Sequence, residues 1–260
     1  MSHAAAAALG AIAGATIFIG LPVGRIRGLS RLVQGSLNAI ATGVLVFLLW
    51  DILSHASAPV ETALAALRRG DRSFAALVAI FGAGLGLGLL LLVYFNGRVF
   101  GRAKQAPPAP PKTLAMMIAT GLGLHNLSEG LAIGQSAATG AVAFAVVLVI
   151  GFALHNITEG FGIAAPLALD TTMPSWGFLL TAGLIGGGPT FVGTVVGYAF
   201  TSPYIYVLFL ALAAGALLYV INEMFHIGRR VNSPAAMAWG LLFGFLLAYG
   251  TELFLTYIAA

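Results

Sequence analysis

Eight stretches of mainly apolar residues, each long enough to cross a lipid bilayer, recur along this 260-residue chain. A helix needs about 20 such residues to span the hydrocarbon core. The stretches fall at roughly 4–22, 33–54, 74–96, 113–134, 140–164, 176–200, 204–227 and 235–258. Only 8% of the residues are charged and the mean hydropathy is +1.00, whereas soluble domains carry about 25% charged residues. The expected fold class is therefore an all-α integral membrane protein. It has eight transmembrane helices in a lipid bilayer and one domain over residues 1–260, with no polar stretch long enough for a separate soluble unit.

The formal net charge is only +4, and the basic residues sit in short connections. They read as topology signals and not as a nucleic-acid surface. Arg25, Arg27 and Arg31 lie between helices 1 and 2; Arg98, Arg102, Lys104 and Lys112 between 3 and 4; Arg229 and Arg230 between 7 and 8. The other side receives only Arg68, Arg69 and Arg72, with Glu61 and Asp71 beside them. Nine against three puts the first set in the cytoplasm and both termini outside it. The connection 97–112 carries Pro107, Pro108, Pro110 and Pro111, so it reads as a semi-extended cytoplasmic loop. The start of the chain lacks the basic region of a secretory signal, so the first apolar run is expected to stay as a helix. With no cysteine, disulfides and thiolate metal sites are excluded.

Two hexapeptides interrupt the apolar pattern. His125-Asn126-Leu127-Ser128-Glu129-Gly130 lies in helix 4, and His155-Asn156-Ile157-Thr158-Glu159-Gly160 in helix 5. Both read H-N-x-[S/T]-E-G. Residues i and i+4 share a helix face, so each copy sets an imidazole beside a carboxylate. Ionisable groups inside a membrane are functional candidates by default. Two neutral imidazoles and two carboxylates would balance a divalent cation and suit zinc and its neighbours. The candidate metal-binding residues are His125, Glu129, His155 and Glu159. Asn126 and Asn156, about 100° round each helix, either lend an amide oxygen or hold the ligands in place. With a turn at 135–139, His125 and His155 match in depth only if the helices shift by about a turn.

Asp51 and His55, again i and i+4, mark the outer end of helix 2 and a candidate access route that concentrates cations. Glu223 and His226, near the inner end of helix 7 beside Arg229 and Arg230, are candidates for an exit path. Gly82, Gly84, Gly86 and Gly88 suit close packing of helix 3. Gly186-Gly187-Gly188-Pro189 is expected to interrupt helix 6 and free backbone groups.

The paired H-N-x-x-E-G motifs on consecutive helices, the eight spans, the outside termini and the basic loop between helices 3 and 4 resemble the ZIP family of divalent-metal transporters. The likeness covers the topology of the whole chain and is strongest in sequence at 113–166. It implies a ZIP-like bundle with an inverted repeat of helices 1–3 and 6–8 around helices 4–5, often dimeric, in the plasma membrane. It also implies a transport site between helices 4 and 5 and movement of metal toward the cytoplasm: Zn²⁺ foremost, with Fe²⁺, Mn²⁺ and Cd²⁺ as further substrates and no catalytic cofactor. Carried over residue by residue, the site is His125, Asn126, Glu129, His155, Asn156 and Glu159, with Glu223 at the family's acidic position in helix 7. Two departures stand out. Ser128 and Thr158 stand where many members have proline, which softens the expected kinks. Gly188 stands where many have the glutamate that helps bridge a second metal, so one principal ion is expected. Two other classes fit the same ligands: an intramembrane zinc hydrolase and a non-transporting membrane protein with a structural metal. The chain has no H-E-x-x-H and no G-x-x-x-x-G-K-[ST], so it is not expected to be an enzyme or to hydrolyse ATP.

Overall fold

A computed structural model gives the fold. It describes the backbone except at residues 27, 29, 69, 71, 101–109, 141, 171, 200, 201, 230–232 and 260; the side chains of 31, 95–100, 143, 144, 147, 155, 168, 169, 227, 255, 258 and 259 are also outside the description. Arg27, Arg69, Asp71, Arg102, Lys104, Pro107, Pro108 and Arg230 thus lie outside the described residues, as do the side chains of Arg31, Arg98 and His155.

Helix α1 (His3–Ala15) is capped by the Ser2 hydroxyl, which accepts from the Ala5 amide. It breaks at Thr16 and continues as a short turn of helix, Ile17–Gly20, and a 3-10 turn, Leu21–Arg25. There follow α2 (Arg31–Leu67), α3 (Ser73–Phe100), α4 (Pro111–Ala138), α5 (Val142–Ala164), α6 (Trp176–Ala199), α7 (Pro203–Arg229) and α8 (Pro234–Ala259). Three helices begin with proline, where its missing N–H and fixed φ suit the first turn. The described residues contain no strand.

Among the described residues seven segments are long and apolar enough to cross a membrane by length and composition; of the eight long helices α4 is the exception. Its polar motif and its glycines lower its hydropathy. It tolerates this because it sits in the middle, with buried residues from Leu114 to Ala137. The protein is a multi-pass membrane bundle. Its outer surface shows Leu91, Leu180, Trp239, Phe243 and Tyr257, apolar side chains that suit lipid.

Two helices are longer than expected. α2 spans 37 residues, about 55 Å, against a hydrocarbon core of about 30 Å. Asp51 and His55 therefore lie within the helix and not at its end, and much of the expected polar connection 55–73 is helical. Its hydroxyls bond back onto the helix, Ser54 to the Trp50 carbonyl and Thr62 to that of Ala58. α3 runs on to Phe100, which shortens the loop expected at 97–112.

Close helix approach is the main packing device. α6 is not interrupted: it runs unbroken through Pro189. A side chain at Gly187 would strike the Gly14 carbonyl of α1, and one at Gly186 would meet Ile17 and Ile163. The α4–α6 contact is more extensive. Gly130 and Gly134 face the α6 backbone at Thr190 and Thr194, and Gly193 and Gly197 face the α4 backbone at Leu127 and Leu131. On α3 the glycines divide: Gly84 and Gly88 meet α7 at Leu208, Ala211 and Leu212, while Gly82 and Gly86 face open space. Thus α1, α4, α5 and α6 pack together, and α3 lies on α7 and α8 on α2.

The connections meet as an alternating topology requires. Arg25 stacks 4.5 Å over the Trp176 ring and donates to the Pro174 carbonyl, and Lys112 donates to the Thr172 hydroxyl at 3.1 Å. The α1–α2 and α5–α6 connections and the start of α4 are therefore at one end of the bundle.

Candidate metal site

The turn between α4 and α5 covers only residues 139–141, with Gly140 at φ +82°, a left-handed position that glycine adopts without strain. The expected turn at 135–139 is therefore displaced by about one helical turn. His125 lies thirteen residues before the end of α4, and His155 thirteen after the start of α5. Both backbones stand about 20 Å from the shared turn. The displaced boundary supplies the shift that the depths of the two motifs demand. Both helices are unbroken through Ser128 and Thr158, as the missing prolines lead one to expect.

Three motif side chains converge in the buried interior. His125 Nε2 stands 3.3 Å from Glu129 Oε1 and 4.0 Å from Glu159 Oε1. The residues are 4%, 6% and 0% exposed. With metal–ligand bonds of about 2.1 Å and tetrahedral angles, two donors on one ion stand about 3.4 Å apart. The His125–Glu129 pair has this spacing; Glu159 lies about 0.6 Å outside it on the same reckoning. Among the described residues no group of three or more His, Cys, Asp and Glu has the arrangement of a complete metal centre. The fourth expected ligand, the His155 side chain, lies outside the description.

The asparagines hold the frame with their amide nitrogens. Asn126 Nδ2 donates to Glu159 Oε2 at 2.7 Å and to the Gly186 carbonyl at 3.0 Å. It links α4 to both α5 and α6. Two acceptors on one nitrogen fix which end of the amide is which. Asn156 Nδ2 donates to the Ala13 carbonyl at 2.9 Å. The Thr16 hydroxyl, at the break in α1, reaches the Ala13 and Ala153 carbonyls, so α1 is tied to α5 at its break. Asn126 Oδ1, Asn156 Oδ1 and Glu129 Oε2 are buried and have no hydrogen-bond partner among the described residues.

The remaining candidates are spread along the bundle. His55 Nδ1 lies 3.3 Å from Asp51 Oδ1 and 3.0 Å from the Asp51 carbonyl. Glu223 is half-buried, its Oε2 has no hydrogen-bond partner among the described residues, and His226 is exposed. A side chain at Gly188 would meet nothing within 4 Å.

Sequence reasoning assigned no functional role to several groups. Ser128 and Thr190 are buried hydroxyls without a hydrogen-bond partner among the described residues. Glu252 of α8 interacts electrostatically with Asp51 and His55. Asn38 of α2 is fully buried and donates to the Met224 carbonyl of α7 at 3.2 Å. Only Glu252 carried a signal, a lone carboxylate within an apolar span.

The family model described as ZIP zinc transporter matches residues 101–252, more than half of the chain and the whole of both motifs. No curated protein matches the sequence.

Proposed function

The chain belongs to the ZIP zinc transporter family, and on that premise we propose that it carries a divalent cation toward the cytoplasm through a His/Glu site between α4 and α5. Zinc is the leading substrate, with iron, manganese and cadmium sharing its ligand preferences. The observation that carries the reading is the buried meeting of His125, Glu129 and Glu159. Two carboxylates buried beside one imidazole are costly without a compensating positive charge, and a cation supplies it.

His125, Glu129, His155 and Glu159 bind the ion. Asn126 and Asn156 brace the helices with their nitrogens and leave their oxygens as reserve ligands. Asp51 and His55 lie on the access route, and Glu223 and His226 receive the departing ion. Gly188 leaves no third carboxylate from α6, so one principal ion binds. The bundle acts as a single transporter domain, in the plasma membrane with both termini outside the cytoplasm, and a homodimer fits the family. An inverted repeat of α1–α3 and α6–α8 is supported by the pairing of helices: exchanging α2 with α7 and α3 with α8 turns the α2–α8 contact into the α7–α3 contact.

Reconstitution in liposomes with an internal indicator tests this directly. Entry of Zn²⁺, Fe²⁺, Mn²⁺ or Cd²⁺ is expected, and no flux of any of them sinks the transport reading in favour of a structural metal or a hydrolase. The double substitution His155→Ala and Glu159→Ala should abolish flux in a protein that still elutes as the parent does. Unaltered flux would place the ion elsewhere.

A further inference from the structure

On α4, Ala132 stands seven residues beyond His125, and Gln135 seven beyond Ser128. Seven residues are about two turns, so both extend the stripe that carries the motif, roughly 10 Å further along. At that height a cavity of about 310 Å³ opens between four helices. Its walls include Ala132 and Gln135 of α4, Pro59 of α2, and Ser202 and Tyr206 at the start of α7. Pro59 is the third member of an i, i+4, i+8 stripe on α2, after Asp51 and His55. Two polar stripes on different helices therefore lead to one cavity.

Its size and chemistry fit a particular occupant. At about 30 Å³ per water, a cation with six waters fills roughly 200 Å³. The polar lining is sparse, and Gln135, Ser202 and Tyr206 offer too few groups to strip an ion of its shell. Tyr206 packs against the main core, and both Asp51 and Glu129 act on it electrostatically. About two turns back along α4 from Gln135 is the Ser128 hydroxyl, 2% exposed, and next to it in the chain Glu129 Oε2, neither with a hydrogen-bond partner among the described residues. A buried polar atom left unpaired is costly, and a ligand arriving from the cavity would relieve that cost.

We infer that this cavity is the port through which a hydrated divalent cation reaches Glu129 and His125, and that Tyr206 is the floor it must pass. The inference rests on the transport reading above and deepens it. The ion keeps its water against the port walls and exchanges it for protein oxygen and nitrogen only beyond Tyr206. The Asp51–His55 pair and the α4 stripe are then two walls of one route.

The absence of cysteine lets single thiols report without background. Gln135→Cys and Ser202→Cys place a thiol on the port wall; Glu61→Cys, exposed on α2, serves as control. In liposomes the port thiols should react with a membrane-impermeant cationic methanethiosulfonate. Zn²⁺ should slow that reaction more than it does at Glu61→Cys. Modification should remove Zn²⁺ flux in the port variants and spare it in the control. A Ser128→Cys thiol should be protected in the parent background and become reactive when Tyr206→Ala removes the floor. Failure of Gln135→Cys to react, or flux that survives its modification, overturns the port; a Ser128→Cys thiol indifferent to Tyr206→Ala overturns the floor. If the parent moves no Zn²⁺, the transport reading falls on its own. The port then stands or falls on whether Zn²⁺ still slows modification at Gln135→Cys beyond the control.

Discussion

Replacing Glu159 by glutamine removes one negative charge from a fully buried position and keeps the side-chain shape. The two properties of the protein should then move in opposite directions. Without metal, Glu159 has a 2.7 Å bond from Asn126 and an imidazole 4.0 Å away. A charge-assisted bond contributes about 1.5–3 kcal/mol and a neutral one about 0.5–1.5, so glutamine gives up roughly 1–2 kcal/mol there. Against this, a buried ion carries a desolvation penalty of several kcal/mol. Metal-free Glu159→Gln should therefore melt no lower than the parent. Cation binding should suffer: removing one charge of a buried pair costs about 3–5 kcal/mol, a weakening on the order of 10²–10⁴-fold. Thermal unfolding in detergent, with and without Zn²⁺, reads both effects. At 100 times its dissociation constant Zn²⁺ stabilises the parent by about 2.7 kcal/mol; a variant weakened 100-fold gains about 0.4 under the same conditions. Equal stabilisation of the two proteins by Zn²⁺ would refute the placement of the ion at Glu159. A variant that melts well below the parent without metal would refute the argument that the bare site is strained by charge.

Other outcomes follow from the packing. Gly84→Ala and Gly88→Ala drive a methyl into α7 and should each destabilise by about 1–3 kcal/mol, whereas Gly82→Ala and Gly86→Ala meet nothing and should be neutral or up to about 1 kcal/mol stabilising; melting curves of the four variants separate the two pairs. Gly188→Glu has room for its side chain and should raise bound metal from one ion per chain to two. Two ions per chain in both proteins would refute the reading of α6.

Apolar length marked all eight long helices, but the polar motif, which lowers the hydropathy of α4, gave no sign of how well that helix is buried. Hydropathy stops at the membrane surface while a helix need not, which is why α2 and α3 extend past the expected ends. The Gly186–Pro189 run misled for a different reason. Flexibility read from composition ignores neighbours, and here Gly187 packs on the α1 backbone at Gly14 and Gly186 on Ile17 and Ile163, in an intact helix. The meeting of His125, Glu129 and Glu159 was legible because their spacing is local to two neighbouring helices. The tie from Asn126 to Gly186, the electrostatic link of Tyr206 to Glu129 and the Asn38–Met224 bond join residues far apart in the chain. No periodicity records them.

The polar character of α4 also has a consequence for the order in which the protein is made. Alone in lipid, α4 exposes His125, Asn126, Ser128 and Glu129, and a single charged residue at a helix centre already opposes insertion by about 2.5–3.5 kcal/mol. Its closest packing surface is on α6, which ends sixty-one residues after α4 does. At 5–20 residues per second, that surface emerges about 3–12 s later. During that interval α4 needs a chaperoned berth beside the insertion machinery, so the fourth span to be synthesised settles only when the sixth arrives.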